Sequence, residues 1–495
     1  MQTQNYIDGR WKDSVSCLTT RSYNPSTGEA IAEVARSTSA DVDDAVAAAR
    51  AAFPRWKRLP AHKRGEMLLR LAQIAQRRED ELATFISREH GKTLFDAHGD
   101  VQELIHVALY YSAEGRRQFG TIAPSEKLGK RGFATREPLG VVLALTPWNF
   151  PFTKPALKCF PALVLGNTVI LKPASETPLI GALVAELAEE AGFPPGVFNL
   201  VQGSSTDIGD HLIQHKDIDL ISYTGSTPVG RRIATAAGAN LVPVSLELTA
   251  KNALIVNSDA NIDLALDWAV LSAFATNGQR ETAASRIILL DDIADTFTER
   301  LLDRVGHLTI GDPLINDPYI GPLISEQQRA DVEQYVSAAI EHGGKILTGG
   351  KRPSDPKLAH GFFFEPTVIS DVMPSSDPAQ EETFGPVTML FRVKTVKEAV
   401  DLANSTRYGL SMAIFTTNID VAMSTVDQLE CGVAWINAGT AGAEVGLQFG
   451  GTKDTGIGRT EWGQGALDTF SRWKTTYINY SGQYRMVFED TRFEV

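Results

Sequence analysis

The chain has 495 residues, 43% of them apolar and 22% charged. That composition excludes a disordered or collagen-like chain, and the length suits about two to four domains with sizeable cores. Lys and Arg number 47 against 60 Asp and Glu, and the formal net charge of −13 disfavours a sequence-independent grip on nucleic acid or an anionic membrane.

Residues 40–53 are Ala-rich with apolar spacing near 3.6, which predicts a helix with Ser39 placed to cap it. Residues 63–86 continue in the same pattern. From residue 139 the pattern changes. GVVLALTPW is a short β-branched run stopped by a proline, NTVILKPAS repeats the form at 167–175, and GVFNLVQG does so at 196–203. A helical stretch, 178–191, lies between the last two. LISYTGS then gives a strand and a Gly-rich turn before the helix-like PVGRRIATAAG. Strand and helix in alternation predict a doubly wound parallel sheet, with strands buried on both faces. A second alternation runs from NALIV near Asn252, through RIILL, helices at 294–305 and 327–341, and TMLFRV, to GVAWIN near 440. It predicts a second α/β domain packed against the first, since no low-complexity linker separates them. The tail WKTTYINYSGQYRMVF is strand-like. With no local partner in view, it is expected to pair with another subunit.

Cys17, Cys159 and Cys431 are too few for a disulfide framework and point to a reducing compartment. No pair of them has metal-ligand spacing, none of the nine histidines is read as standing in an H-x-x-x-H pair, and no metal site is expected. The N-terminus is polar from the start, unlike a signal peptide, and the longest apolar runs stop far short of the roughly 18 residues that span a bilayer. A cytoplasmic protein is expected.

Four places carry chemistry, each with a plainer alternative. Thr224–Gly230 (TGSTPVG) opens a helix whose N–H groups suit an anion, or is only a strand–helix turn. It is not the G-x-G-x-x-G fingerprint. Lys172 ends a strand where ligands of open α/β sheets bind, or is a solvated strand-end lysine. Asn149 follows a strand, where its amide suits a developing oxyanion, or bonds its own turn. Glu247 lies between apolar residues, half buried on a strand; burial suits it to general base work, or it pairs with Lys251.

In this order the motifs carry a resemblance. YIDGRW, REPLGVVLALTPWNFP, GNTVILKPASETP, SYTGSTPVGRRI, LELTAKNALIV, EETFGPV and INAGTAGAEVGLQFGGTKDTGIGR make residues 6–475 similar, nearly end to end, to the aldehyde dehydrogenase superfamily. Within it the chain looks most like succinate-semialdehyde dehydrogenase-type members. The resemblance implies an α/β fold of two doubly wound parallel-sheet domains plus a small β oligomerisation arm. An NAD(P)-binding domain would cover 1–121 and 141–248, a catalytic domain 249–440, and the arm 122–140 and 475–495. Residues 441–474 would return to the cofactor domain, and RGFATREP at 131–138 reads as a hairpin strand of the arm. The assembly would be a homodimer or homotetramer.

The resemblance also implies roles. Asn149 would be the oxyanion-hole amide and Glu247 the general base. Thr146, Pro147, Trp148, Lys172, Ser175, Gly225, Ser226, Leu248, Glu382 and Phe384 would line the cofactor site. Lys172 would hold the adenosine ribose, Gly225 and Ser226 would approach the pyrophosphate, and Glu382 would hold the nicotinamide ribose beside Phe384. Ser175 stands where NAD-preferring members tend to carry Glu, so NADP is expected to be at least tolerated beside NAD. Lys154, Leu157 and Arg280 would fall in the substrate tunnel, where Lys154 or Arg280 is suited to a substrate carboxylate.

Two motifs depart from the family. Its G-Q-x-C reads Gly278-Gln279-Arg280-Glu281, so Glu281 stands where the nucleophilic thiol belongs. Its L-E-L-G-G-K reads Leu246-Glu247-Leu248-Thr249-Ala250-Lys251, with bulk in place of two glycines. Because both changed while the cofactor residues stayed, natural divergence is favoured over a deliberate knock-out or a binding-only relative. The expected function is oxidation of a small aldehyde or semialdehyde by a non-thiol route through Glu281 and Glu247. The alternatives are a non-redox hydration, dehydration or isomerisation, and, at the plainest, a Glu281 that only pairs with Arg280.

Overall fold

The computed structural model describes residues 2–117, 120–458 and 460–484. The first helix is Ser39–Trp56, and Thr38 rather than Ser39 caps it. Asp41 accepts hydrogen bonds from the Thr38 N–H at 2.8 Å and from its hydroxyl at 3.0 Å, so the reach back from the third helical residue decides the cap. The run at 63–86 is two helices, Ala61–Arg77 and Glu79–His90. Arg78 leaves the helical conformation between them, and Glu79, Asp80 and Glu81 supply the acidic first turn that favours a new start. Leu94–Glu114 follows, capped by the Thr93 hydroxyl accepting the Asp96 N–H.

Among the described residues, eight strands form the first sheet. Their order is Arg10–Lys12, Asn5–Ile7, Phe198–Leu200, Thr168–Lys172, Val141–Leu145, Leu220–Thr224, Val244–Glu247 and Gly456–Ile457. The five from Phe198–Leu200 to Val244–Glu247 are parallel, and the strands flanking them pair antiparallel. Chain order reverses between Val141–Leu145 and Leu220–Thr224. That is a switch point, and the crevice at the carboxyl ends of such strands is where ligands of open α/β sheets bind. Thr146 to Asn149 and Gly225 leave the sheet there.

The second sheet runs Lys345–Thr348, Thr367–Ser370, Val387–Val393, Arg286–Leu290, Ala253–Val256, Ser411–Phe415 and Val433–Ile436. All its pairings are parallel except that of Lys345–Thr348. Alternate residues feed opposite cores: Ile255, Ile288, Met389 and Ile414 go to one, Leu254, Ile287, Leu289 and Ala413 to the other. That is the period of two expected of strands covered on both faces.

The tail corrects an expectation. Ser471–Asn479 does have a partner in its own chain, pairing antiparallel with Lys130–Pro138 over its whole length, and Thr121–Ala123 completes this small sheet. The resemblance sets both segments in one arm, but sequence pattern alone does not show the pairing, because they lie far apart along the chain. The strand begins at Ser471, inside the stretch read as a return segment. Residues 485–495, read as the rest of the arm, lie outside the described residues. No described helix is long and apolar enough to cross a membrane.

Candidate active site

The helix Thr153–Leu165 starts just after Asn149 and carries Lys154 and Lys158 on successive turns of one face. Glu247 ends the neighbouring strand Val244–Glu247. These elements and the loop around Glu281 meet in one buried cluster. The Asn149 amide donates to the Gln279 carbonyl and to Glu281 Oε2, both at 3.1 Å. Lys154 Nζ lies 3.5 Å from Glu247 Oε2 and 3.7 Å from Glu281 Oε1. The Thr224 hydroxyl donates to Glu247 Oε2 at 3.3 Å.

Several plain alternatives fall here. Asn149 bonds the loop of Glu281 and not its own turn. Glu247 is 8% exposed, buried rather than half buried, and its cation is Lys154. Lys251 instead donates to the Tyr335 hydroxyl at 2.7 Å. Arg280 does not pair with Glu281: its Nη2 reaches Asp96 Oδ1 and Thr276 Oγ1, both at 2.8 Å. With Arg280 bound to Asp96 and Lys154 set between two carboxylates, both cations suggested for a substrate carboxylate already have acidic partners. Leu157 is 1% exposed and packs in the apolar core. A small cleft at Glu281 is lined by Arg280, Asn252, Ala250, Glu382 and Phe384 among others.

Burial raises the Glu247 pKa, and Lys154 only partly offsets this. Burial opposes the charge on Lys154, but Glu281 and Glu247 outweigh it and hold its pKa above the ordinary value. The cluster therefore joins a carboxyl that keeps its proton above the usual range to a lysine that stays cationic.

The loop before Glu281 has unusual backbone. Thr276, Asn277 and Gly278 have φ of 52°, 56° and 64°, a left-handed run that a β-branched residue seldom enters. Neighbours impose it. The Thr276 N–H donates to Asp96 Oδ2 at 2.8 Å, and the Asn277 amide donates to the Gly321 and Pro322 carbonyls at 2.6 Å. A Cβ on Gly278 would sit 2.1 Å from the Gly385 carbonyl oxygen.

Asp96 thus fixes both the loop and Arg280, and sequence reasoning missed it. It also missed Asp100, one turn on, which accepts from Lys92 at 3.0 Å and from the Thr153 N–H at 2.9 Å. The available signal was two aspartates at i, i+4 at the start of one helix, facing the same way.

The cofactor candidates gather at the switch point. Lys172 is 4% exposed, not solvated. Its Nζ donates to the Pro173 carbonyl at 3.0 Å, and burial lowers its pKa to about 8. The Thr146 N–H donates to the Lys172 carbonyl, and the Ser175 hydroxyl donates to the Gly203 carbonyl at 3.4 Å. Half-buried Pro147 leads to Trp148, whose ring lies 5.2 Å from Phe384, edge-on, and 5.6 Å from His90. Glu382 accepts the Ala250 N–H at 3.2 Å, and burial pushes its pKa up to about 8. Ser226 precedes the helix Thr227–Ala239, and Leu248 packs so closely on Gly230 that a Cβ there would lie 2.4 Å from it.

The reading that no histidines form an H-x-x-x-H pair is wrong: His211 and His215 are such a pair, on one face of the helix Ser205–Gln214 and its end. Asp43 Oδ1 lies 2.6 Å from His211 Nε2 and 3.4 Å from His215 Nε2. The Asp217 N–H donates to His215 Nδ1 at 3.1 Å. That leaves the ring proton of His215 on Nε2, on the side of Asp43, and the hydrogen bond to Asp43 itself is made by His211.

A family model, aldehyde dehydrogenase family, matches residues 11–476. The chain is 38% identical to the alpha-ketoglutaric semialdehyde dehydrogenase of Bacillus subtilis (strain 168), over 96% of this chain and 97% of that protein. It is 39% identical to the mitochondrial succinate-semialdehyde dehydrogenase of Arabidopsis thaliana, over 93% and 86%. Among solved structures it resembles PnpE in complex with nicotinamide adenine dinucleotide, with a TM-score of 0.96 and 39% identity over 99% of this chain and 100% of that one.

Proposed function

Since the chain belongs to the aldehyde dehydrogenase family, we propose that it is an NAD(P)-dependent oxidoreductase of a small aldehyde or semialdehyde that works without a thiol. The observation that carries the non-thiol route is Glu281 itself, bound by the Asn149 amide at 3.1 Å and sharing Lys154 with Glu247. Relatives that act on semialdehydes support the substrate class. The roles proposed for the two domains follow their sheets: the first, with its switch-point crevice, binds the dinucleotide, and the second carries the loop of Glu281.

The residues of that crevice fit a dinucleotide. Lys172 is buried with a single carbonyl acceptor, so two of its three N–H donors remain for the hydroxyls of a ribose. Trp148 and Phe384 offer apolar faces, and Glu382 is a half-buried acceptor for the second ribose. When bound, the nicotinamide supplies a hydride acceptor for the oxidation of an aldehyde hydrate to an acid.

The chain's own residues do the rest. Glu281 takes a proton from the water that adds to the aldehyde, leaving the hydrate as its monoanion. The protonated Lys154 holds the Glu281 charge and faces the developing oxyanion. Glu247, once deprotonated, takes the hydroxyl proton of the hydrate as the C–H bond breaks. No covalent adduct with the protein forms.

A second, non-redox reading is favoured by one observation: two carboxylates share one cation, and burial raises the pKa of Glu247. An acid and a base in one pocket suit hydration, dehydration or isomerisation. A homo-oligomer is supported by apolar side chains left exposed on the arm sheet, Ile122 at 84% and Tyr477 at 77%. Three free cysteines, one of them exposed, suit the reducing cytoplasm.

The test is NAD and NADP reduction with a panel of aldehydes, including succinic semialdehyde, on this chain and on Glu281→Cys side by side. Reduction by the unmodified chain is the expected result. Reduction by Glu281→Cys alone defeats the non-thiol route and leaves an intact scaffold for binding. Substrate turnover with no cofactor signal supports the non-redox reading.

A further inference from the structure

The helix Thr227–Ala239 opens at the switch point, where a helix N-terminus normally presents unpaired N–H groups to an anion. Here some of the amides at that opening are answered from within the chain. The Gly225 N–H donates to the Glu247 carbonyl at 3.0 Å. The Thr227 N–H donates to the Thr249 hydroxyl at 3.2 Å. Pro228 has no N–H to give. The Tyr223 hydroxyl lies over Gly225, so close that a Cβ on that glycine would come within 2.2 Å of it. Ser226 faces the same phenol oxygen with its amide and its hydroxyl.

Two side-chain hydroxyls therefore stand at the amides that a phosphate would approach, and one of them, Thr249, belongs to a motif in which the family has glycine. Yet the crevice still points to a ligand. The buried Lys172, two strands away at the same edge of the sheet, has only its neighbour's carbonyl as a hydrogen-bond partner.

From this geometry we infer that Thr249, with Tyr223, sets the affinity of this chain for its dinucleotide by competing with the pyrophosphate for the opening amides of the helix Thr227–Ala239. The inference rests on the cofactor reading given above. A bound pyrophosphate must displace the Thr249 hydroxyl before it gains the Thr227 N–H. The hydrogen bond it forms is charge-assisted, but the net gain is reduced by the one it breaks. Removing the hydroxyl leaves the amide unpaired in the free protein and raises its value to an incoming anion. Thr249→Ser keeps the acceptor and so keeps the competition.

The experiment is calorimetric titration of the full chain with NAD and with NADP, accompanied by thermal melts with and without each. Thr249→Ala is expected to tighten Kd about tenfold, to melt lower than the unmodified chain when free, and to gain more in Tm when loaded. Thr249→Ser is expected to bind as the unmodified chain does. Tyr223→Phe, a separate variant remote from the reacting carbon, is expected to tighten binding by a smaller factor. Equal or weaker binding by both Thr249→Ala and Tyr223→Phe, or the same tightening in Thr249→Ser, overturns the inference while leaving the cofactor reading intact. Binding of neither nucleotide by the unmodified chain or any variant overturns the cofactor reading and this inference with it.

Discussion

Lys154 and Lys158 stand one turn apart on one helix, both buried and both facing carboxylates, yet their clusters close differently. Lys158 Nζ lies 2.6 Å from Glu461 Oε2 and 2.9 Å from Ser222 Oγ, and the Ser222 hydroxyl binds the other oxygen of Glu461. The Tyr111 hydroxyl secures the same segment by donating to the Glu461 and Gly463 carbonyls. Every side chain there is satisfied. Lys154 instead reaches its two carboxylates at 3.5 and 3.7 Å, and Glu247 Oε1 and Asn149 Oδ1 are buried without a hydrogen-bond partner. A satisfied buried network holds structure, whereas an unsatisfied one keeps donors and acceptors for a ligand. The difference separates a brace from a reaction centre on the same helix face.

Four experiments test the contrast between the two lysines. The largest effect is expected at the brace. Lys158→Met leaves Glu461 buried and uncompensated and should cost about 3–5 kcal/mol of stability, read from urea unfolding. An equal loss in Lys154→Met would erase the distinction. Next, Glu281→Gln should lower the rate about 100-fold with little change in Tm, because the amide keeps the shape but cannot take a proton; steady-state kinetics beside a thermal melt decide it.

The third effect concerns pH. Burial raises the Glu247 pKa, so the deprotonated base appears only above the usual carboxylate range. The rate should climb about tenfold per pH unit below that pKa and then level off, with the climb absent in Glu247→Gln. The same shift works against stability at high pH. The folded state holds this proton more tightly than the unfolded chain, so the contribution is complete below the unfolded pKa and is lost as pH rises through the folded one. The smallest effect is expected from Asp96→Asn, which releases Arg280 and the Thr276 turn and so mispositions Glu281. A fall of about tenfold in kcat with the cofactor KM unchanged marks a positioning role, and a fall in KM and Tm alone argues for a merely structural one.

Much of the fold was legible along the chain. The strands Val141–Leu145, Thr168–Lys172 and Arg286–Leu290 stand where their short apolar runs predicted, because strands covered on both faces need no polar alternation. Helix boundaries were less so. The cap on Thr38 depended on a side chain three residues further on, and the break at Arg78 left no glycine or proline to mark it. The tail strand was visible as a strand, and the resemblance set it in one arm with 131–138, but no local pattern showed that the two pair.

The candidate site divides the same way. The residue types at Asn149, Glu247 and Glu281, and the substitution of the family's cysteine and glycines, are properties of the sequence alone. Which group each of them meets is not. Lys154 rather than Lys251 became the cation of Glu247, Asp96 rather than Glu281 became the anion of Arg280, and Thr249 became the acceptor for Thr227. Periodicity and turn chemistry act between near neighbours, so the sequence by itself determined the elements and the chemistry they carry. The pairing of buried charges and polar groups is settled across residues distant in sequence, by which donors and acceptors the packed sheets and helices leave within reach of one another, and only the tertiary structure decided that.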